Sequence, residues 1–225
     1  MNVLAFASRK GGSGKSTLAA HLAAHAHGLS RSCLLVDDDP QGSLTLWNTL
    51  RGNDGLPLKI VERTLADILK KAKRDAVDWV FIDTPPNMSV SVADALQCAT
   101  LVIVPCRPGV FDLNAVQETI GLARRERTPY AVVINGAPPK RGEDESSIVS
   151  SSRERLAELQ IPVWAGQITQ RNDFSLALSH GEGVREYNAD SGAASEIRSL
   201  WRVVEKSVKA IRGMRDGTAI HGVAA

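Results

Sequence analysis

Apolar residues along this chain fall into short unbroken runs at residues 3–7, 33–36, 79–82, 101–104 and 130–134. Runs without polar alternation suit strands buried on both faces of a parallel sheet. Between them, the spacing of apolar and charged positions predicts helices over 15–27, 65–72, 89–97, 113–124, 147–159 and roughly 194–212. Strand and helix in alternation predict right-handed crossovers and an α/β fold: a single doubly wound, mostly parallel sheet flanked by helices. Such folds gather their chemistry at the carboxyl ends of the strands. Polar residues stand at those ends: Arg9 to Ser16 after the first run, Asp37 to Gln41 after the second, Asp83-Thr84-Pro85-Pro86 after the third and Asn135 after the fifth.

Composition narrows the picture. With 225 residues and 43% hydrophobic content, one domain over 1–225 is simpler than two small ones. The 27 basic and 25 acidic side chains leave a formal charge of +2, so any nucleic-acid site must be a local patch. No run approaches the ~18 to 20 apolar residues of a membrane span, and the apolar amino terminus meets Arg9-Lys10 too early for a secretory core. Cys33, Cys98 and Cys106 lack CxxC spacing and read as reduced thiols of a cytoplasmic protein. The turn-forming, polar stretch 138–147 is the best candidate for a mobile surface loop.

Residues 10–17, Lys-Gly-Gly-Ser-Gly-Lys-Ser-Thr, lie between a predicted strand and a predicted helix. Gly11, Gly12 and Gly14, with Ser13 among them, let backbone N–H groups turn inward around an anion without a Cβ in the way. The following helix offers its positive end to phosphates. Lys15 supplies charge to the β- and γ-phosphates, the Ser16 hydroxyl is a Mg²⁺ ligand and Thr17 reaches the α-phosphate. The first glycine of the general phosphate-loop pattern is replaced by Arg9, so the loop is a variant.

Lys10 marks that variant. The pattern KGGxGK[ST] resembles the deviant Walker A subgroup of P-loop ATPases, the ParA/MinD family. In that family the early lysine reaches the nucleotide of a partner subunit, which implies an ATP-bound homodimer and makes Lys10, Lys15 and Asp39 the catalytic set. Asp37, Asp39, Pro40 and Gln41 match the family's DxDPQ turn; the resemblance places Asp39 beside the attacking water and Asp37 near Mg²⁺. Asp83 matches the Walker B acid that holds Mg²⁺. Three acids in a row, Asp37 to Asp39, repel one another unless a cation is near, although each alone also suits a helix cap or a turn. For the base, the resemblance points to Asn135 and to a proline-rich loop, Pro105 to Pro108, with Asp112 at its end; a strand end followed by a turn explains these residues equally well. Slow ATP hydrolysis is expected.

No helix-turn-helix precedes the loop, and Ser43 to Trp47, Ile168 to Asn172 and Gly181 to Tyr187 resemble short partition ParA proteins. On the long last helix Arg198, Arg202, Lys206 and Lys209 share one stripe and Ile197, Leu200, Val204, Val208 and Ile211 another. A basic stripe is either a solvated face or, as the resemblance implies, a contact for non-specific DNA on the nucleoid, with Arg171 a further candidate. A ParB-like or other cargo adaptor is implied as partner. Three alternatives belong to other classes. A MinD-like membrane-surface ATPase needs an amphipathic tail that 213–223 does not supply. A ligase of the cobyrinate or dethiobiotin type needs a substrate pocket, and an iron–sulfur carrier needs paired cysteines. His21 and His25 lie one turn apart, but no third ligand completes a metal set nearby.

Overall fold

A computed structural model describes residues 1–52, 55–87, 89–142 and 144–215. The elements in chain order are β1 (Asn2–Phe6), α1 (Lys15–His27), β2 (Cys33–Asp37), α2 (Ser43–Arg51), β3 (Leu58–Ile60), α3 (Leu65–Arg74), β4 (Trp79–Asp83), α4 (Val90–Cys98), β5 (Leu101–Cys106), α5 (Val110–Arg125), β6 (Tyr130–Ala137), α6 (Ser147–Glu158), β7 (Ile168–Thr169), α7 (Asn172–Ser179), α8 (Val184–Tyr187) and α9 (Gly192–Arg215). Among the described residues the strands form one seven-stranded sheet, all parallel, in the order β3-β2-β4-β1-β5-β6-β7. All five strands expected from the apolar runs are present. The short strands β3 and β7 and the helices α2, α7 and α8 add to the expected set.

Both faces of the sheet are covered, which is why its central strands read as continuous apolar runs. Leu4 and Phe6 of β1 pack with α1 and α9 on one face, while Val3 and Ala5 pack under α3, α4, α5 and α6 on the other. On the first face Trp201 of α9 is fully buried, its ring 4.6 Å from that of Trp79 and 6.1 Å from that of Phe81. The histidines of α1 belong to this same core. His21 meets the Phe174 ring edge-on and accepts a hydrogen bond from the Val184 amide at 3.2 Å; His25 meets Trp201. Burial lowers both imidazoles from 6.5 to about 4, so they are neutral packing groups and their one-turn spacing has a packing cause.

The strand order sets up the site. Because β4 lies between β1 and β2, the last residues of three strands come side by side: Phe6 pairs in register with Asp83, and Asp83 with Asp37. The Thr84 hydroxyl donates to the Phe6 carbonyl at 2.8 Å and fastens the end of β4 to that of β1. Part of the stretch expected to be a loose loop is held: Arg141 and Asp144 exchange backbone hydrogen bonds, and Glu145 pairs with Arg153 at 2.8 Å. Residue 143 lies outside the described residues, as does the candidate membrane tail from residue 216 onward. Among the described residues no helix is long and apolar enough to cross a membrane.

Candidate functional site

The loop between β1 and α1 takes its shape from two left-handed glycines, Gly12 at φ +72° and Gly14 at φ +102°. Gly14 has a second reason to be glycine, since a Cβ there would stand 2.1 Å from the Asn135 side-chain nitrogen. That nitrogen donates to the Ser13 carbonyl at 2.7 Å, so the end of β6 braces the loop from below. A cavity of about 530 Å³ opens over the loop and is lined by Gly11, Gly12, Gly14, Lys15, Ser16 and Thr17. Ser13 is buried behind it.

Carboxylates stand at the ends of β2 and β4, and the three consecutive acids that begin with the last residue of β2 relieve their repulsion by diverging. Asp37 turns to α2: its Oδ2 accepts from the Thr45 amide at 2.8 Å and from the Thr45 hydroxyl at 2.7 Å, and its Oδ1 from the Asp39 amide at 3.3 Å. Asp38 sits against α4; burial raises its carboxyl, with the Ser91 hydroxyl acting in opposition. Asp39 alone lines the cavity, its Oδ1 accepting from the Gln41 amide at 3.0 Å.

Asp83 is fully buried, and neither of its oxygens has a hydrogen-bond partner among the described residues. Burial pushes it up to about 7; the Ser16 hydroxyl, close by without completing a hydrogen bond, and the Lys15 ammonium act the other way, while Asp37 and Asp39 add to the rise. Lys15 in turn is lowered by burial against the pull of Asp83 and Asp39. An ammonium with a depressed pKa and a carboxyl with two orphaned oxygens describe a site short of charge partners on both sides. Mg²⁺ beside Asp83 and a polyphosphate beside Lys15 supply them, so the residues present fit magnesium and a nucleoside polyphosphate.

Beyond the phosphate loop the cavity has a wall that motif reading does not supply. Ala20, Leu44, Trp47, Phe174 and Leu178 form its apolar part; Arg107, Gly136, Gln170, Arg171 and Ser175 form its polar part with Asn135. Of these, the sequence signals Asn135, Arg107 within the proline-rich loop and, loosely, the segments around residues 43–47 and 168–172.

Other expected site residues lie elsewhere. Lys10 does not line the cavity; its ammonium is 2.6 Å from Asp112 Oδ2 at the start of α5. Asp112 and Pro108 are likewise absent from the cavity wall, where Arg107 of the same loop takes part. Arg171 stands on the cavity wall and pairs with Glu196 of α9 at 3.0 Å, apart from the α9 stripe. Arg198, Arg202, Lys206 and Lys209 are exposed along α9, Arg198 donating to the Ala189 carbonyl at 3.1 Å.

Residues 4–184 match the family described as CobQ/CobB/MinD/ParA nucleotide binding domain. The maintenance of carboxysome distribution protein A of Gloeobacter kilaueensis is 30% identical over 208 residues, 89% of this chain and 95% of that protein. Two solved structures share the fold. The ATP complex of a Cyanothece McdA variant covers 100% of this chain with 99% of its own, at a TM-score of 0.70 and 17% identity. Cobyrinic acid a,c-diamide synthase from Mycobacterium smegmatis, with bound ADP and magnesium, covers 93% and 96% at a TM-score of 0.70 and 21% identity.

Proposed function

This chain belongs to the CobQ/CobB/MinD/ParA nucleotide-binding family and is an ATPase, and from that premise we propose that it works as an ATP-driven dimeric motor that partitions DNA or positions a cellular cargo in the cytoplasm. The observation that supports this most is the place of Lys10: next to the phosphate loop, yet outside the cavity of its own subunit. The family resemblance implies that a lysine at this place serves a nucleotide held by a second copy, where opposed cations bury a dense anion between two subunits.

Within one subunit, the loop amides of residues 11–14 and Lys15 hold the phosphates, and Ser16 with Asp83 holds Mg²⁺. Bound Mg²⁺·ATP supplies the transferable phosphoryl group and much of the charge neutralisation. Asp39, kept at the cavity by the Gln41 amide, orients the attacking water. Asn135, Arg107, Gln170 and Arg171 fix the nucleoside end, and Trp47 with Phe174 closes the apolar wall. Among the described residues no glutamate lines the cavity, which agrees with slow, timer-like turnover. The whole chain acts as one domain, and the exposed α9 stripe makes salt-dependent contacts with non-specific DNA on the nucleoid. A ParB-like or other cargo adaptor completes the system.

The named relative points to carboxysomes as one kind of cargo. The ligase alternative shares the fold, as the cobyrinic acid synthase shows, but Lys10 has no use in a site served by one subunit. Size-exclusion chromatography tests the reading: with ATP and Mg²⁺, Lys10→Ala stays monomeric while Asp39→Ala accumulates as dimer. Both variants eluting as the parent chain does would reject the two-subunit mechanism.

A further inference from the structure

Lys10 carries the two-subunit reading, yet in the single chain its ammonium is engaged with Asp112, 102 residues along the sequence, at 2.6 Å. The partners differ in setting: the Lys10 side chain is 41% exposed, that of Asp112 only 11%. Asp112 Oδ1 is buried without a hydrogen-bond partner among the described residues. A carboxylate so placed depends on its one cation, because solvent and protein offer it little else. Two further contacts dock the preceding residue on the same helix. The Arg9 guanidinium pairs with Glu118, and the Arg9 amide donates to the Thr119 hydroxyl at 3.2 Å. Residues 112 and 119 are two helical turns apart, so the lead-in to the phosphate loop lies along one face of α5.

We propose that Asp112 is a positioning residue for Lys10: a latch within the subunit that keeps the ammonium from a partner's nucleotide until dimerisation offers it a stronger anion. The proposal rests on the reading that Lys10 acts across a dimer. One ammonium then has two competing anions, a monocarboxylate in its own chain and a polyphosphate in the other. The bound nucleotide of the second subunit wins by charge, but only after the latch opens. A two-fold dimer is isologous, so both latches open together and their effect on the dimer equilibrium enters as a square. A half-exposed ion pair shifts an equilibrium about two- to fivefold, which makes the expected effect on dimerisation about four- to twenty-five-fold.

The test uses the full chain with Mg²⁺ and a non-hydrolysable ATP analogue, and sedimentation velocity as readout. Asp112→Asn should dimerise at about four- to twenty-five-fold lower protein concentration than the parent. Asp112→Glu, which keeps the charge, should return most of the difference. Raising salt should shrink the gap between parent and Asn variant, since it screens an ionic latch that a merely structural contact lacks. Should the Asn variant fold poorly, Asp112→Ser serves the same comparison. Dimerisation equal to or weaker than the parent overturns the latch. So does a loss of affinity for fluorescent ADP as large as the change in dimerisation, which would return Asp112 to the nucleotide loop. Lys10→Ala separates the two levels of inference: if it dimerises like the parent, the two-subunit reading falls; if it fails while Asp112→Asn tracks the parent, only the latch falls.

Discussion

Asp37 and Asp83 end neighbouring strands, face each other in register and are both buried, yet the protein treats them in opposite ways. Asp37 accepts three hydrogen bonds, two of them from Thr45, and so fastens the first turn of α2 to the sheet. Asp83 accepts none from the described residues. A buried carboxylate whose lone pairs are used up belongs to the architecture; one whose lone pairs are empty is waiting for a ligand. Placing Asp37 near Mg²⁺ follows from its family position, but its hydrogen bonds give it a structural task first. The comparison also explains why α2 begins where it does, and why Asp39, two residues on, is held at the cavity mouth: Asp37 anchors the turn between them.

The pair predicts a crossed pair of phenotypes. Asp83→Asn should reduce ATP turnover by about 10- to 100-fold through weakened metal binding, while urea unfolding of the nucleotide-free protein shows no loss of stability, since the substitution replaces a carboxyl whose charged form burial disfavours with a neutral group of the same shape. Asp37→Ala should do the reverse in kind: it strands the donors of Thr45 and lowers stability by about 2–4 kcal/mol. If Asp83→Asn destabilised the protein as much as Asp37→Ala, the distinction between the two carboxylates would be wrong.

Acidity sets Asp83 against the two histidines of α1. The unfolded chain protonates His21 and His25 below about 6.5, whereas the folded chain holds them neutral down to about 4. Unfolding therefore takes up two protons in that window, and stability falls as pH falls. Asp83 works against this. Its folded carboxyl stays protonated up to about 7, so unfolding above pH ~4 releases a proton, and this group alone favours the fold at lower pH. Each proton changes the slope by about 1.4 kcal/mol per pH unit. Without nucleotide or Mg²⁺, stability measured from pH ~4 to ~6.5 should vary more steeply with pH in Asp83→Asn than in the parent, by about one proton. Equal slopes would contradict a carboxyl raised by burial.

The phosphate side of the site was legible because its chemistry is local: residues 10–17 and 37–41 carry their meaning in consecutive residues. The wall beyond the phosphate loop was legible only in part. It joins Ala20, Trp47, Asn135 and Phe174 from four separate elements with Gln170 from the segment after β7, and no spacing rule links them. The fold shows the same divide. Central strands were visible as apolar runs, while β3, with Lys59 and Ile60 exposed, and β7, two residues long, bury too little to leave a signal. In α2 the buried pair Leu44 and Trp47 is masked by exposed Leu46 and Leu50, so no apolar stripe stands out. The link between Lys10 and Asp112 depends on β5 lying beside β1, which only the sheet order reveals.

The smallest predicted effect isolates one bond of the comparison. Thr45→Val removes the hydroxyl that donates to Asp37 Oδ2 at 2.7 Å but keeps the shape of the side chain and the Thr45 amide bond to the same oxygen. Its cost should be about 1 kcal/mol, the net worth of one hydrogen bond to a charged acceptor that retains other donors. The informative quantity is how that cost depends on background. In Asp37→Ala the hydroxyl has already lost its acceptor, so Thr45→Val should cost almost nothing there, giving a coupling of about 1 kcal/mol. In Asp83→Asn the cost should persist in full, since Thr45 and Asp83 share no hydrogen bond, and the two changes should add within about 0.5 kcal/mol. Strong coupling of Thr45 to Asp83 would mean that the two strand ends behave as one carboxylate site, with both acids serving the metal.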